Sequence, residues 1–437
     1  MPSPYLKALL RSLSHRNFRL FFFGQGISLV GTWMQQIAMS WVVFQLTGSS
    51  FQLGLVLFCG QLPSLILSPL AGVLVDRWNR RRLLLLTQSL AMIQAFALAA
   101  LDMTGTIAVW QILPLSVFLG VVNTFDITGR QAFLIEMVAD RNNLSNAIAL
   151  NSSLMNIARL LGPSLAGLLL AKTSASVCFL INGISYFAVL IALLAMRLAP
   201  HVMSHHGKGL REGLRQGFLY AFHFLPIRVI LLTCCTASMV GSSYNVILPE
   251  YSVQILHGNA HTLGMMSTAA GLGALGGALF LAARSSVLGL GRWIWIALLL
   301  MGIGFIAFAW ATQFWMAYAA LTVIGFGLMV QIAASNTLLQ TIVEEDKRGR
   351  IMSFFTMAFL GMAPFGSLLT GYVAGTLGIP FAFIINGCVC LVSALAFFVL
   401  LPRLRELIHP IYLRLNIISP IVAGIEAASK LKLMTKE

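Results

Sequence analysis

Charge is scarce in this chain. Only 9% of its 437 residues are Asp, Glu, Lys or Arg, against about 25% in a soluble globular domain. That scarcity excludes an ordinary water-soluble fold. No Gly-x-x-x-x-Gly-Lys-Ser/Thr stretch occurs, so no phosphate-binding loop is available to drive the chain by ATP hydrolysis. No His-Glu-x-x-His occurs either. His257 and His261 stand four apart in HGNAH but lack the glutamate, and no metal is expected there. The six cysteines (Cys59, Cys178, Cys234, Cys235, Cys388 and Cys390) fall within or beside apolar runs and lack metal-ligand spacing. Neither a disulfide nor zinc is expected. Nothing resembles a catalytic constellation, so the expectation is a protein that is not an enzyme and needs no cofactor.

What fills the chain instead is apolar. Hydrophobic residues make up 58% of it, and the mean hydropathy is +0.88. A bilayer core about 30 Å thick takes roughly 20 apolar residues in a helix. Twelve such runs are present, near 17–46, 50–75, 83–101, 108–135, 144–171, 175–198, 227–252, 262–284, 291–311, 314–340, 350–376 and 379–402. The first run is too long for a cleavable signal.

The excess of bases, 28 against 13 acids, suggests nucleic acid until the bases are placed. Threading the chain through twelve crossings puts Arg16, Arg80, Arg141, Lys208, Arg292, Lys347 and Arg403 with nearly all the others on one side. The opposite loops hold Lys172 alone. The positive-inside rule then places both termini in the cytoplasm and removes any need for a nucleic-acid partner. The expected location is the bacterial inner membrane.

One long polar segment, residues 199–218, divides the crossings six and six. Residues 1–198 and 219–402 are therefore expected to be two bundles joined by a cytoplasmic linker. Residues 403–437 form a basic, partly apolar tail that suits the membrane interface. A faint repeat supports the division. GPSLAG (162–167) lines up with GSLLTG (366–371), and AGVLVDRWNRRR (71–82) with GGALFLAARSSV (276–287), at offsets close to 205 residues. Duplicated bundles of this kind place a substrate site at their interface near the midplane.

The stretch GVLVDRWNRRR (72–82) carries a more specific pattern: Gly72, Leu74, Asp76, Arg77, Arg80 and Arg81. It resembles the signature between helices 2 and 3 of the major facilitator superfamily, with Asn79 where that family usually has glycine. Asn tolerates the left-handed conformation that glycine would supply. The resemblance implies an all-α membrane protein of twelve transmembrane helices in two pseudo-symmetric six-helix bundles, working by alternating access. It also implies a cytoplasmic charge network. In it Asp76 caps span 11 near Gly349 and Glu136 partners Arg80 or Arg81, and these contacts form in the outward-open state and break in the inward-open one. In span 5, ARLLGPSLAG resembles the exporter motif of that superfamily at Gly162, Pro163 and Gly167. The wider texture, GTWMQQIAMSWVVFQLTGS and NTFDITGRQAF, is similar to the branch containing the enterobactin exporter and macrolide efflux proteins.

Three ionisable residues lie deep in spans. Asp126 and Arg130 are one turn apart in span 4, and Arg159 lies in span 5, from which it could approach Asp126. A charge at that depth costs at least ~2.5 kcal/mol. Two readings stand side by side: a self-neutralised pair that positions span 4, and a carboxylate whose protonation is linked to transport. Pocket candidates are Gln25, Trp33, Gln35 and Gln36 in span 1, Asn151 and Asn156 in span 5, Tyr244 and Asn245 in span 7, and Gln331 and Asn336 in span 10. Each also suits a plain interhelical hydrogen bond. The expected function is a proton-coupled exporter of a moderately large, partly apolar compound such as a drug or siderophore, acting as a monomer among membrane lipids. The alternative on the same fold is a lipid or lysophospholipid flippase.

Overall fold

The computed structural model describes residues 11–137, 143–197, 220, 222–284, 286–415 and 417. After a short 3-10 turn come thirteen helices: α1 (Arg16–Thr47), α2 (Ser50–Arg77), α3 (Arg80–Met103), α4 (Val109–Met137), α5 (Leu144–Leu170), α6 (Ala175–Ala195), α7 (Leu225–Gly241), α8 (Tyr244–Gln254), α9 (Ala260–Ala282), α10 (Leu290–Ala309), α11 (Phe314–Ile342), α12 (Glu345–Leu377) and α13 (Ile379–Arg414). Helices α7 and α8 together make one crossing, so the described residues cross twelve times. No strand occurs among them. In hydrocarbon every backbone N–H and C=O must be satisfied within the segment, which leaves the helix as the form these runs can take.

The turns between helices are made by a few residues with evident roles. Gly48 ends α1 in the left-handed conformation, φ 60°, and Ser49 then caps α2 by accepting from Gln52 N. Asn259, inside HGNAH, caps α9 in a reciprocal box with Thr262. Asn79 does not behave as the sequence suggested. Its φ is −66°, not left-handed, and its side chain accepts from Arg82 N at 3.0 Å. It replaces glycine by starting α3 as a cap rather than by turning the chain as glycine would.

Two boundaries differ from expectation. The run at 227–252 is broken at Ser242–Ser243, between α7 and α8. The last helix continues past 402 to Arg414, with Pro402 and Pro410 inside it. Leu404 and Ile408 are buried there, and that packing carries the helix through the bonds its prolines remove. The expected linker and most of the tail lie outside the described residues.

The two ends of the molecule are called proximal, where α1 starts and α13 ends, and distal. The first six helices pack on one another, α1 on α5 and α6 and α3 on α4 and α6; the remaining helices do likewise, with α11 between α9 and α10. The two halves meet through α2 on α12 and α5 on α9. One apolar cluster joins both halves at the distal end, from Met34, Val42 and Leu53 to Tyr251, Phe305 and Phe383. Toward the proximal end the core divides. One cluster holds only first-half residues such as Phe18, Phe133 and Leu193. The other holds only second-half residues such as Ile230, Leu339 and Phe397. Among the described residues the apolar core is thus continuous across the halves distally and divided proximally. Its outer surface is greasy, as lipid requires: Leu194, Val392 and Leu395 are more than half exposed, and Trp110, Trp310 and Trp315 stand out at the distal rim.

Candidate functional site

Span 4 places Asp126 about 4.5 Å from the middle of α4 at helical rise. It is 4% exposed. Arg130 donates to its Oδ2 at 2.9 Å. Its Oδ1 accepts from Gln88 Nε2 at 2.7 Å and Thr87 Oγ1 at 3.0 Å, both on α3. Three donors on one buried group is the pattern of a carboxylate. Arg130 is the wetter member of the pair, with 15% of its side chain exposed against 6% for Asp126. Beside this cluster Gln35, Gln94 and Asn182 bond one another across α1, α3 and α6, at 2.9 and 2.7 Å. The first half therefore has a polar interior.

Arg159 does not join Asp126. Its guanidinium lies over the Trp33 ring, 5.0 Å from the centroid, and interacts electrostatically with Tyr244. The reason is rotational. The face of α5 that carries Arg159 turns toward α1 and the second half, so close that a Cβ on Gly271 of α9 would lie 3.3 Å from the Arg159 carbonyl. Among the described residues no carboxylate pairs with Arg159 and no protein acceptor takes its N–H groups. A cation over an aromatic face recovers about 0.5–2 kcal/mol, less than the insertion cost of at least ~2.5 kcal/mol. Trp33, Arg159 and Tyr244 are the sequence candidates that the fold brings together, and they come from both halves.

The break in span 7 is what presents Tyr244. Ser243 Oγ donates to Val240 O at 2.6 Å, Asn245 Nδ2 to Ser242 O at 2.9 Å and Asn386 Nδ2 to Ser243 Oγ at 3.0 Å. These side chains tend the interrupted backbone at membrane depth, where it cannot be left bare. Asn245 is thereby a turn residue. Asn156 bonds its own helix at Ser152 O, and Asn336 accepts from Gln340. Gln331 is fully buried and donates weakly to Ser335. Gln25 is buried, and Gln36 and Asn151 are half-buried.

The exporter motif serves two contacts. Gly162 sits against Trp33, so close that a Cβ would collide with it. Gly167 closes on the other half: a Cβ there would lie 2.9 Å from Gly264 Cα, and one on Gly264 would lie 2.7 Å from Pro163 O. The residues of the gate motif lie at the proximal end. Arg80 binds Glu136 at 2.7 Å and the Ala132 carbonyl; Arg81 donates to Leu194 O. Both are contacts within the first half, and the Arg80–Glu136 bridge is present although the apolar core is divided proximally. Arg77 is exposed, and Gly72 and Gly349 both face open space. The side chain of Asp76 lies outside the described residues.

Sequence reasoning missed Thr87, Gln88, Gln94 and Asn182. Polar residues inside an apolar run were the available signal. It likewise missed the turn in span 7, which Gly-Ser-Ser at 241–243 marks. A cleft of about 730 Å³ opens far from the midplane charges, on the proximal side of the second half, between Phe224, Ile342, Arg348, Ile411 and their neighbours.

Comparison with known proteins places this arrangement. The sequence matches the family described as transmembrane secretion effector over residues 8–410. It is 26% identical to the staphyloferrin A transporter of Staphylococcus aureus (strain NCTC 8325 / PS 47), over 89% of this chain and 97% of that one. It is 24% identical to the multidrug efflux pump Tap of Mycolicibacterium fortuitum, over 88% and 93% of the two chains. In fold it is similar to a bacterial homologue of the human lysosomal transporter Spinster, crystallised inward-facing and unoccupied, with a TM-score of 0.66, 14% identity, and coverage of 91% and 97%.

Proposed function

Because the chain belongs to the transmembrane secretion effector family, in the drug and siderophore exporter branch of the major facilitator superfamily, we propose that it is a proton-coupled exporter of a moderately large, partly apolar compound. The observation that carries this reading is the one-sided closure: one apolar cluster across both halves distally, two separate clusters proximally. A transporter that alternates access needs a state of this kind and its mirror. The proximal face carries the basic residues and is the cytoplasmic one, so this state receives substrate from the cytoplasm. The protein sits in the bacterial inner membrane and works as a monomer.

Asp126 is the proton carrier in this reading. Its partners Arg130, Thr87 and Gln88 all belong to the first half. Rocking of rigid halves leaves that group unchanged. The switch is local: Arg130, the wetter partner, swings toward the opening, and Asp126 takes a proton in its place. Arg130 returning expels the proton. Transport is exchange, protons entering the cell as the compound leaves.

The test is efflux from proteoliposomes holding the purified chain, with an imposed pH gradient and a panel of lipophilic dyes and siderophores. Wild type should move at least one compound uphill when the gradient is present. Asp126→Asn should abolish uphill movement and keep downhill exchange. Movement of labelled lipid with no proton requirement would replace the exporter by the flippase. Uphill transport at the wild-type rate in Asp126→Asn would reduce the pair to helix packing.

A further inference from the structure

The deep charges do not balance. Within the described spans, Asp126 is the one carboxylate near the midplane, and Arg130 occupies it. Arg159 is left over. It lies about 3 Å from the middle of α5 at helical rise, with only an aromatic face and a phenol for company. Trp33 covers one face of the guanidinium, while its N–H groups make no bond to described protein atoms. None of its nitrogens is among the fully buried polar atoms without a partner. Its N–H groups thus stand without an acceptor among the described residues, where α5 packs on α1 and on α9 of the other half. Trp33 holds the plane in place, and Gly162 holds Trp33 against α5.

We propose that Arg159, set over the Trp33 ring and in electrostatic contact with Tyr244, is the anchor for a carboxylate on the transported compound. A planar fork with its face fixed and its edge free matches a carboxylate through two parallel N–H···O bonds. Trp33 and Tyr244 supply apolar area for the body attached to it. The site joins α1 and α5 of one half to α8 of the other, so an occupant touches both moving bodies. This inference rests on the exporter reading for its role in transport but not for binding itself.

Binding is measured on the full chain in phosphatidylcholine nanodiscs, which supply no net anionic lipid, with empty discs subtracted. The probes are labelled 1-naphthoate and 1-naphthalenemethanol, which share a ring system and differ in charge. Wild type should bind naphthoate at least about tenfold tighter than the alcohol. Arg159→Gln should bring the ratio near one while keeping the alcohol bound. Arg159→Lys keeps the charge and loses the fork, and should weaken naphthoate several-fold with the alcohol unchanged. No preference in wild type, an intact preference in Arg159→Gln, or unchanged naphthoate affinity in Arg159→Lys each overturns the site. Loss of pH-driven efflux with the preference intact would remove the exporter reading and leave the site. Loss of the preference with efflux intact would do the reverse.

Discussion

In the first half Gly162 closes on the first crossing, at Trp33, and Gly167 closes on the other half, at Gly264. In the second half the corresponding places, about 204 residues on, are Gly366 and Gly371. Gly366 closes on its own first crossing, at the Met239 carbonyl, and Gly371 on the other half, at the Ser50 carbonyl. The carbonyls that receive the opposite half match too. A Cβ on Gly264 would lie 2.7 Å from Pro163 O, and one on Gly54 would lie 2.8 Å from Ser367 O. The two inter-half seams are one design used twice. Charge does not follow this symmetry. At the same offset Asp126, Arg130 and Arg159 become Val330, Ala334 and Ala363, and Val330 and Ala334 are fully buried and apolar.

The difference separates two jobs. Hinging of the halves depends on small residues at both seams, since both must open and close together. The deep ionisable side chains among the described residues, Asp126, Arg130 and Arg159, are concentrated in the first half. Duplication of a bundle would produce equal halves, and loss of charge from one of them restores a cheaper interior where no chemistry is needed.

The largest effect should come from unbalancing the charged half. Asp126→Ala leaves Arg130 buried without its carboxylate, and breaking a buried pair in this way costs about 3–5 kcal/mol. Thermal unfolding in detergent should show that loss, and the double variant Asp126→Ala/Arg130→Met should recover most of it. A single variant as stable as wild type would mean that Arg130 finds another partner, and the contrast between halves would blur.

The next effect tests the symmetric part. Gly264→Val and Gly54→Val each place side-chain atoms against backbone of the opposite half, which has no rotamer to yield. Overpacking of this kind costs about 1–3 kcal/mol, and here it falls on the distally closed state. That corresponds to a shift of about 5–150-fold toward the distally open state. Spin labels at Thr104→Cys and Gln313→Cys, on the distal rims of the two halves, should report a longer distance in both variants. An effect at one seam alone would break the equivalence.

The parts of this comparison legible in the sequence were those set by spacing along one helix. Twelve apolar runs, the four-residue step from Asp126 to Arg130 and the glycine pairs at one offset all depend on local periodicity. Relations between helices were not legible. Thr87 and Gln88 meet Asp126 through the crossing of α3 and α4, and Arg159 misses Asp126 because of the rotation of α5. Neither angle is written in composition. Span 7 read as one run because its turn is made of residues that also pack well in membrane helices. Asn79 was placed correctly as a turn residue but with the wrong conformation, since an asparagine serves equally as a helix cap.

The smallest effect concerns the proximal gate, where the apolar core divides. Arg80 and Glu136 are 19% and 27% exposed in their side chains, so water screens the pair, and bridges of this exposure contribute about 0–1 kcal/mol. Glu136→Gln should lower stability by no more than that. It should also leave the balance of states nearly unchanged, because the Arg80–Glu136 bridge itself lies within the first half. A residue that holds the gate must instead reach across it. We propose that Asp76, the acid of the Gly72–Arg81 signature, has that task. Asp76→Asn should therefore depopulate the proximally closed state and slow turnover while Glu136→Gln does neither. Spin labels on the proximal rims, at Arg77→Cys and Ser353→Cys, read this directly. If Glu136→Gln opens the proximal side as far as Asp76→Asn, the bridge within the first half is part of the gate after all, and the two ends of that half are coupled through α4.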